Sequence, residues 1–241
     1  DRYYVTKVKT TYPMKLSRFL YHHTKHGKHE VRRVIASGSV MVNGAVERDS
    51  QREVDDFTHV TIGNSILRDT KPAYVMLHKP AGYLSATKDP EHRTVMELIN
   101  VPETLHIAGR LDRASTGLLL LTNDGKWSRA LTEPREGVPK TYLVTTAEPI
   151  TKETSIHFQQ GIYFAYEDLT TQSAELETLS ELEARLTIHE GRYHQIKRMF
   201  LAVGNRVTSL HRESVGSIQL DPSLKLGEWR HLTKKEITNY V

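Results

Sequence analysis

The run Leu118-Leu119-Leu120-Leu121, closed by Asn123-Asp124-Gly125, constrains this chain more than any other feature. An apolar run of this kind bounded by turn residues reads as a buried strand, so the chain needs a sheet with a core packed on it. Directly ahead of the run stands Gly109-Arg110-Leu111-Asp112-Arg113-Ala114-Ser115-Thr116-Gly117, which sets one carboxylate between two arginines. A charged cluster fixed to the edge of a buried strand is held rigidly, as a catalytic site requires. If Gly109 to Asp112 is extended, Arg110 and Asp112 share a face. The guanidinium then favours the ionised carboxylate, and an aspartate so held can act as nucleophile or base. Taken alone, such an Arg-x-Asp pair is more often a structural salt bridge.

The chain has 241 residues, room for one large domain or a large and a small one. Hydrophobic residues make up 38% and charged residues 26%, the balance of a globular protein. No apolar run approaches the roughly 20 residues that cross a bilayer, and no signal-peptide hydrophobic region opens the chain. Cysteine is absent, which excludes disulfides and thiolate metal sites and suits a reducing, cytoplasmic compartment. The net charge is +4 and the pI about 9.1. The distribution says more than the total: between Lys15 and Arg33 lie six Lys/Arg and four His against one acid, Glu30. Taken alone, a charge run is more often a solvated helix face. Clustering of this kind is also the footprint of phosphate binding, and Lys15, Arg18, Lys28, Arg32 and Arg33 are its candidate contacts.

Residues 1–13 show neither helical nor strand periodicity and read as an extension, with Met14 resembling a true protein start. Residues 14–62 form a compact unit. Leu16, Phe19 and Leu20 keep helical spacing, as do Val31, Val34 and Ile35, and Ser37-Gly38 stops the second helix. Val40 to Val46 reads as a hairpin turning at Asn43-Gly44, and Val60 with Ile62 as a further strand. Residues 63–72 are polar, end in Lys71-Pro72 and read as a linker.

From Ala73 to Val241, strand patterns at 74–77, 118–121, 141–146, 174–179, 182–189, 207–210 and 218–220 interleave with helical ones at 128–131, 155–158 and 193–203. Ile196, Met199, Phe200 and Val203 at i, i+3, i+4 and i+7 give the clearest helix. Without a strict βαβ rhythm, this order argues for an α+β fold with a largely antiparallel sheet.

Four motifs resemble those of the pseudouridine synthases that modify ribosomal RNA. Gly109 to Gly125 is similar to the family signature nearly residue for residue, with Asp112, Thr116, Gly117, Leu118, Leu119, Thr122, Asn123 and Asp124 in place. Leu77-His78-Lys79-Pro80-Ala81-Gly82, Lys140-Thr141-Tyr142 and Leu186 to Phe200 resemble the other three. Glu190 to Phe200 and Gly227-Glu228-Trp229-Arg230 resemble the small-subunit (16S) branch, the RsuA family. Residues 14–62, above all Val34 to Gly44, resemble the S4 RNA-binding domain, with Lys28-His29 where a Ser-Arg pair is usual.

The resemblance implies a small N-terminal S4-like αα-β domain followed, from residue 73, by a catalytic domain with a mixed, largely antiparallel central sheet. It implies conversion of one uridine in 16S rRNA, the uridine-516 site, to pseudouridine, by a monomer, on free RNA or an assembling particle. A 23S rRNA target and a non-catalytic role in ribosome assembly are the rival expectations. Asp112 is then the catalytic residue, Tyr142 stacks on the target uracil, and Lys197 pairs with Asp112 where many relatives carry arginine. Arg110 engages the flipped nucleotide, and Lys79, counted among the RNA-binding residues, shapes a loop beside the cleft. Ile188 lines the cleft near the base. Arg192, His194 and Arg198 fall in the same motif as RNA contacts, and the spacing of His194, Lys197 and Arg198 predicts one shared helix face. Nothing calls for a metal or a nucleotide cofactor. His189-Glu190 and His194 are spaced H-E-x-x-x-H rather than H-E-x-x-H, and His22, His23, His26 and His29 lack a carboxylate among them.

Overall fold

The structure, a computed structural model, describes residues 13–240; the expected extension lies, but for Pro13, outside them. The chain divides into two compact units between Pro72 and Ala73.

The first unit opens with β1 (Met14–Lys15), α1 (Leu16–His23) and α2 (Lys28–Ala36). Leu16, Phe19 and Leu20 of α1 meet Val31 and Ile35 of α2 in a closed core with Val40, Val42, Val54 and Val60. Strands β2 (Val40–Val42), β3 (Ala45–Val46), β5 (Val60–Ile62) and β6 (Ser65–Arg68) form an antiparallel sheet in the order β3-β2-β5-β6, while β4 (Glu53–Val54) pairs with β1. The β2–β3 turn holds Asn43 and Gly44 at φ +49° and +82°, the backbone that the Asn-Gly pair predicts. The linker expected over residues 63–72 is shorter. Residues 65–68 are the edge strand β6, and Leu67 packs on the core while Arg68 covers the ring of Phe19. An edge strand buries only one side of itself, so its polar sequence hides it.

The second unit is built on one sheet with the strand order β13-β14-β10-β15-β9-β7-β17. Its members are β7 (Tyr74–Lys79), β9 (Thr116–Thr122), β10 (Lys140–Thr146), β13 (Glu175–Thr178), β14 (Glu183–Ile188), β15 (Val207–Val215) and β17 (Trp229–His231). β8 (His106–Ala108) pairs with β9 and β16 (Ile218–Gln219) with β15, and β11 (Tyr163–Phe164) pairs with β12 (Leu169–Thr170) in a separate hairpin. Every pair is antiparallel except β15 with β9, so the sheet is mixed and largely antiparallel, as expected.

The leucine run lies at its centre. Leu119 and Leu121 enter one core, with Phe158 of α4 (Lys152–Gln160) and Ile196, Met199 and Phe200 of α5 (Gln195–Ala202). Leu118 and Leu120 enter a second core with Trp127 and Leu131 of α3 (Gly125–Thr132). A strand covered on both sides has no solvent face, hence the unbroken apolar run. The residues closing the run do more than turn the chain. Asn123 Oδ1 accepts from the Ala73 N–H at 2.8 Å, and Asp124 caps α3 by accepting from the Lys126 and Trp127 N–H groups at 2.9 and 3.1 Å. Gly125 is thus the first residue of α3, three residues ahead of the helix expected at 128. At the far edge Gly227 and Glu228 bond to the backbone of His78. Arg230 there ties Asp221 at 2.7 Å to Glu236 of α6 (Lys234–Thr238) at 2.9 Å.

Candidate active site

Asp112 lies in the loop of residues 109–115 between β8 and β9, not on an extended strand. Gly109 opens this loop at φ +88°, a backbone that breaks the strand geometry expected to align Arg110 with Asp112. The loop is nevertheless fixed, because most of its carbonyls have a dedicated donor. Arg212 Nη2 donates to Gly109 O at 2.9 Å and Nη1 to Arg110 O at 3.4 Å. Ser85 Oγ donates to Leu111 O at 2.7 Å and accepts from the Leu111 N–H at 3.1 Å. The Gly82 N–H donates to Arg113 O at 2.8 Å, and the Ser115 N–H to Asp112 O at 3.1 Å. Lys79 Nζ donates to Arg113 O at 3.3 Å, Ser115 O at 2.8 Å and Pro80 O at 3.0 Å.

Two of these donors, Arg212 and Lys79, come from one row of the sheet. Cross-strand pairing sets Leu186, Tyr142, Arg212, Gly117 and Lys79 side by side on β14, β10, β15, β9 and β7. Gly117 is required in that row. A Cβ there would lie 2.3 Å from Arg212 O and 2.5 Å from Arg212 N, and φ is +108°. Arg212 is 1% exposed, its Nε donates to Leu118 O at 2.8 Å, and its guanidinium sits 6.0 Å from the centroid of the Tyr142 ring. Tyr142, Leu186 and Ile188 are all buried in the core that α5 closes. Burial lowers the Lys79 ammonium to about 8; the charge on Asp112 works against that fall and the charge on Arg212 adds to it. Burial brings Lys140 of the same motif to about 8 as well, with Arg212 adding to the effect.

The carboxylate of Asp112 meets α5. Lys197 Nζ stands 2.8 Å from Oδ2 and His194 Nε2 3.3 Å from Oδ1. Lys197 is on the helix; His194 precedes it as the N-cap, at φ +49° and ψ +29°. That position corrects the expectation of one helical face shared by His194, Lys197 and Arg198. The helix starts at Gln195, and the left-handed residue turns the His194 ring to the carboxylate instead. Buried Glu190 holds this turn. Its Oε1 accepts from Gln195 Nε2 at 2.8 Å and the Gln172 N–H at 2.9 Å, and its Oε2 from Arg192 Nε at 3.0 Å.

The structure brings Lys197 to Asp112, the pair that the resemblance implies, adds His194, expected as an RNA contact, and buries Tyr142 and Ile188 in the core that α5 closes. Three of the expected RNA contacts have protein partners. Lys79 is fully buried among carbonyls, so it shapes the Asp112 loop and does not reach RNA. Arg198 is engaged with Glu167 at 2.7 and 2.5 Å and stacks on Phe164 at 3.7 Å. Arg192 is exposed but paired with Glu190. Arg110 is exposed at the loop surface. Lys15, Arg18, Lys28, Arg32 and Arg33, on or beside the two helices of the first unit, are exposed as well.

Sequence reasoning passed over Arg212, Ser85 and Gln195. The strand read as Val207 to Leu210 runs on to Val215, because His211, Arg212, Glu213 and Ser214 mimic a strand's end. Their polar groups have protein partners instead: Thr116 for His211 at 2.8 Å and Arg185 for Glu213 at 2.7 Å.

Known proteins share this architecture. The family model for RNA pseudouridylate synthase matches residues 73–202. The chain is 48% identical over 227 residues to the ribosomal small subunit pseudouridine synthase A of Pseudomonas aeruginosa, covering 93% of this chain and 99% of that protein. It is 42% identical over 231 residues to the protein of the same name from Escherichia coli K12, covering 95% and 100%. A solved pseudouridylate synthase crystal structure superposes with a TM-score of 0.69 at 36% identity, covering 95% of this chain and 100% of that one. A rigidly held aspartate facing a lysine, a buried tyrosine paired across strands with the Arg212 that holds the aspartate's loop, and relatives matched along nearly their whole length lead to one conclusion: the chain belongs to the RNA pseudouridylate synthase family.

Proposed function

We propose that this enzyme isomerises a single uridine of 16S rRNA, the uridine-516 site, and that Asp112 is its catalytic residue. The observation that carries the reading is the Asp112 carboxylate, held on one oxygen by Lys197 and faced on the other by His194, in a loop whose carbonyls are tied down by buried donors. The printed name of the Pseudomonas and Escherichia relatives, ribosomal small subunit pseudouridine synthase A, supports the choice of RNA.

The chemistry follows from the bonds exchanged. The N1–C1′ bond of uridine breaks, the uracil turns, and a C5–C1′ bond forms. The C5 proton is lost and N1 gains one, so atoms balance without a co-reactant. The target must leave its stack first, at a cost of a few kcal/mol. Arg110, exposed on the loop beside Asp112, engages the flipped nucleotide. Tyr142 carries the uracil on its ring, with Ile188 and Leu186 as apolar neighbours on the same core. Asp112 acts at the ribose, either on C1′ as a nucleophile or on the 2′ hydrogen as a base, and Lys197 offsets its charge at 2.8 Å. The first unit serves as an S4-type RNA-binding domain, gripping phosphates through Lys15, Arg18, Lys28, Arg32 and Arg33.

The test is a map of pseudouridine in 16S and 23S rRNA from cells lacking the protein. Re-expression of the wild type restores one 16S site, and Asp112→Asn binds RNA without restoring it. A restored 23S site overturns the target; restoration by Asp112→Asn overturns the catalytic assignment.

A further inference from the structure

An aromatic pair stands beside Asp112 that the chemistry above does not use. Tyr193 and His194 are consecutive, yet their rings lie face to face with centroids 3.8 Å apart and planes 22° from parallel. Neighbouring side chains stack this way because the backbone turns sharply at His194, in the left-handed region that a residue with a Cβ enters only when its surroundings enforce it. The enforcement is visible: Glu190 and Gln195 close the turn from inside, and the Arg192 N–H donates to Gln195 Oε1 at 3.0 Å. The result is an imidazole with its edge on Asp112 and a flat face against a tyrosine that remains 61% exposed.

The hairpin β11–β12 is fastened to the same turn. Arg198 grips Glu167 with both Nη atoms, covers the ring of Phe164 and donates to Tyr193 O at 3.4 Å. The hairpin tip so fixed carries Tyr166, 97% exposed. Arg192 is paired with Glu190 and Arg198 with Glu167. With these two arginines held by carboxylates, the corner presents rigid aromatic surface, which suits a nucleobase better than a phosphate.

We propose that Tyr193, backed by His194, is a stacking platform for an unpaired nucleobase next to the target uridine, with the Tyr166 hairpin tip as the wall of that subsite. The inference rests on the reading of Asp112 as the residue that meets the flipped nucleotide. Turning that nucleotide out strips its neighbours of a stacking partner, and a rigid ring close to the reacting ribose replaces it. Because every base has a π face, the platform holds the strand's register without reading its sequence.

The test uses the full-length enzyme and whichever rRNA transcript the wild type modifies, with 2-aminopurine placed one nucleotide to either side of the target. A wild type acting on 23S instead of 16S RNA therefore sinks the proposed target and leaves this experiment in force on the 23S transcript. Wild-type binding quenches the probe on one flank, Tyr193→Ala abolishes the quench, and Tyr193→Trp keeps it. Tyr193→Ala raises KM about tenfold, in the range of one lost base stack, with kcat at saturating RNA within about twofold. Tyr166→Ala raises KM by a smaller factor. Its salt dependence stays parallel to that of the wild type, since no phosphate contact is lost. Equal quenching by wild type and Tyr193→Ala overturns the proposal. So does a fall in kcat at unchanged KM, which would reduce Tyr193 to a support for His194, and so does a flattened salt slope, which would make it a phosphate contact.

Discussion

Ser85 offers the sharpest test of how the Asp112 loop is held. Its hydroxyl closes a two-way link with Leu111, donating to the carbonyl at 2.7 Å and accepting from the N–H at 3.1 Å, where both residues are 6% exposed. Ser85 is itself placed by the bridge between Leu84 and Thr94, with Leu84 N–H on Arg93 O at 2.9 Å and Val95 N–H on Leu84 O at 3.0 Å. Ser85→Ala removes one oxygen and leaves the packing almost unchanged, but it strands two backbone groups. Each buried orphan costs about 1–3 kcal/mol, so the loss is about 3 kcal/mol if each costs about 1.5 kcal/mol, in the lower half of that range. For a protein of this length, that lowers the melting temperature of the catalytic unit by about 6–12 °C. Leu111 is the immediate neighbour of Asp112. A displacement of about 1 Å at the carboxylate costs about a hundredfold in rate, so kcat falls by one to two orders of magnitude while KM for RNA barely moves. Urea denaturation and single-turnover pseudouridine formation read the two quantities on one preparation. A Ser85→Ala enzyme within about 0.5 kcal/mol and twofold of wild type would refute the reasoning, because it would mean that Leu111 is satisfied without the hydroxyl.

Two further outcomes follow from the same row of the sheet. Gly117→Ala drives a Cβ to 2.3 Å from Arg212 O on the paired strand and must part β9 from β15, so we expect a loss above about 4 kcal/mol, seen as a collapse of the thermal transition; wild-type melting would show that the strands give way freely. Lys79→Met tests the buried ammonium through pH. The folded value of about 8 lies below the ordinary 10.5, so between these limits the unfolded chain binds more protons and wild-type stability rises with pH. The stability difference between wild type and Lys79→Met is therefore flat below about pH 8 and moves toward the wild type by up to about 3 kcal/mol by pH 10.5. A difference that stays flat throughout would mean that Lys79 is not desolvated.

How much of this was legible in the sequence depends on which partners a residue needs. Leu118 to Leu121, the α5 stripe of Ile196, Met199 and Phe200, and the Asn43-Gly44 turn announce themselves because their burial or backbone angle follows from near neighbours. That Asp112 and Lys197 meet is legible because their motifs are distinctive. Arg212 was not, because a lone arginine after Leu210 looks like the solvent end of a strand, and only the parallel pairing of β15 with β9 brings it under the loop. Ser85 carries no signal either, since its partner Leu111 is 26 residues away and the bond is to backbone. β6 escaped for the opposite reason: its strand is real, but half of it faces solvent.

The misplaced element of the sequence reading is the most instructive. Adjacency suggested that Arg110 serves Asp112 across one strand face, yet the loop at Gly109 removes that face, and further charged groups converge on the site from other elements. Lys197 and His194 arrive from α5, and Lys79 and Arg212 from beneath, donating to the loop's carbonyls. The lysine that meets the carboxylate is carried by a helix anchored by Phe200 and Met199 in the core. In the proposed mechanism Arg110, exposed on a loop whose carbonyl Arg212 pins, meets the flipped nucleotide. The sequence, with Arg and Asp two residues apart, offers only that pair; the lysine that α5 brings to Asp112 is supplied by the fold, and adjacency could not announce it.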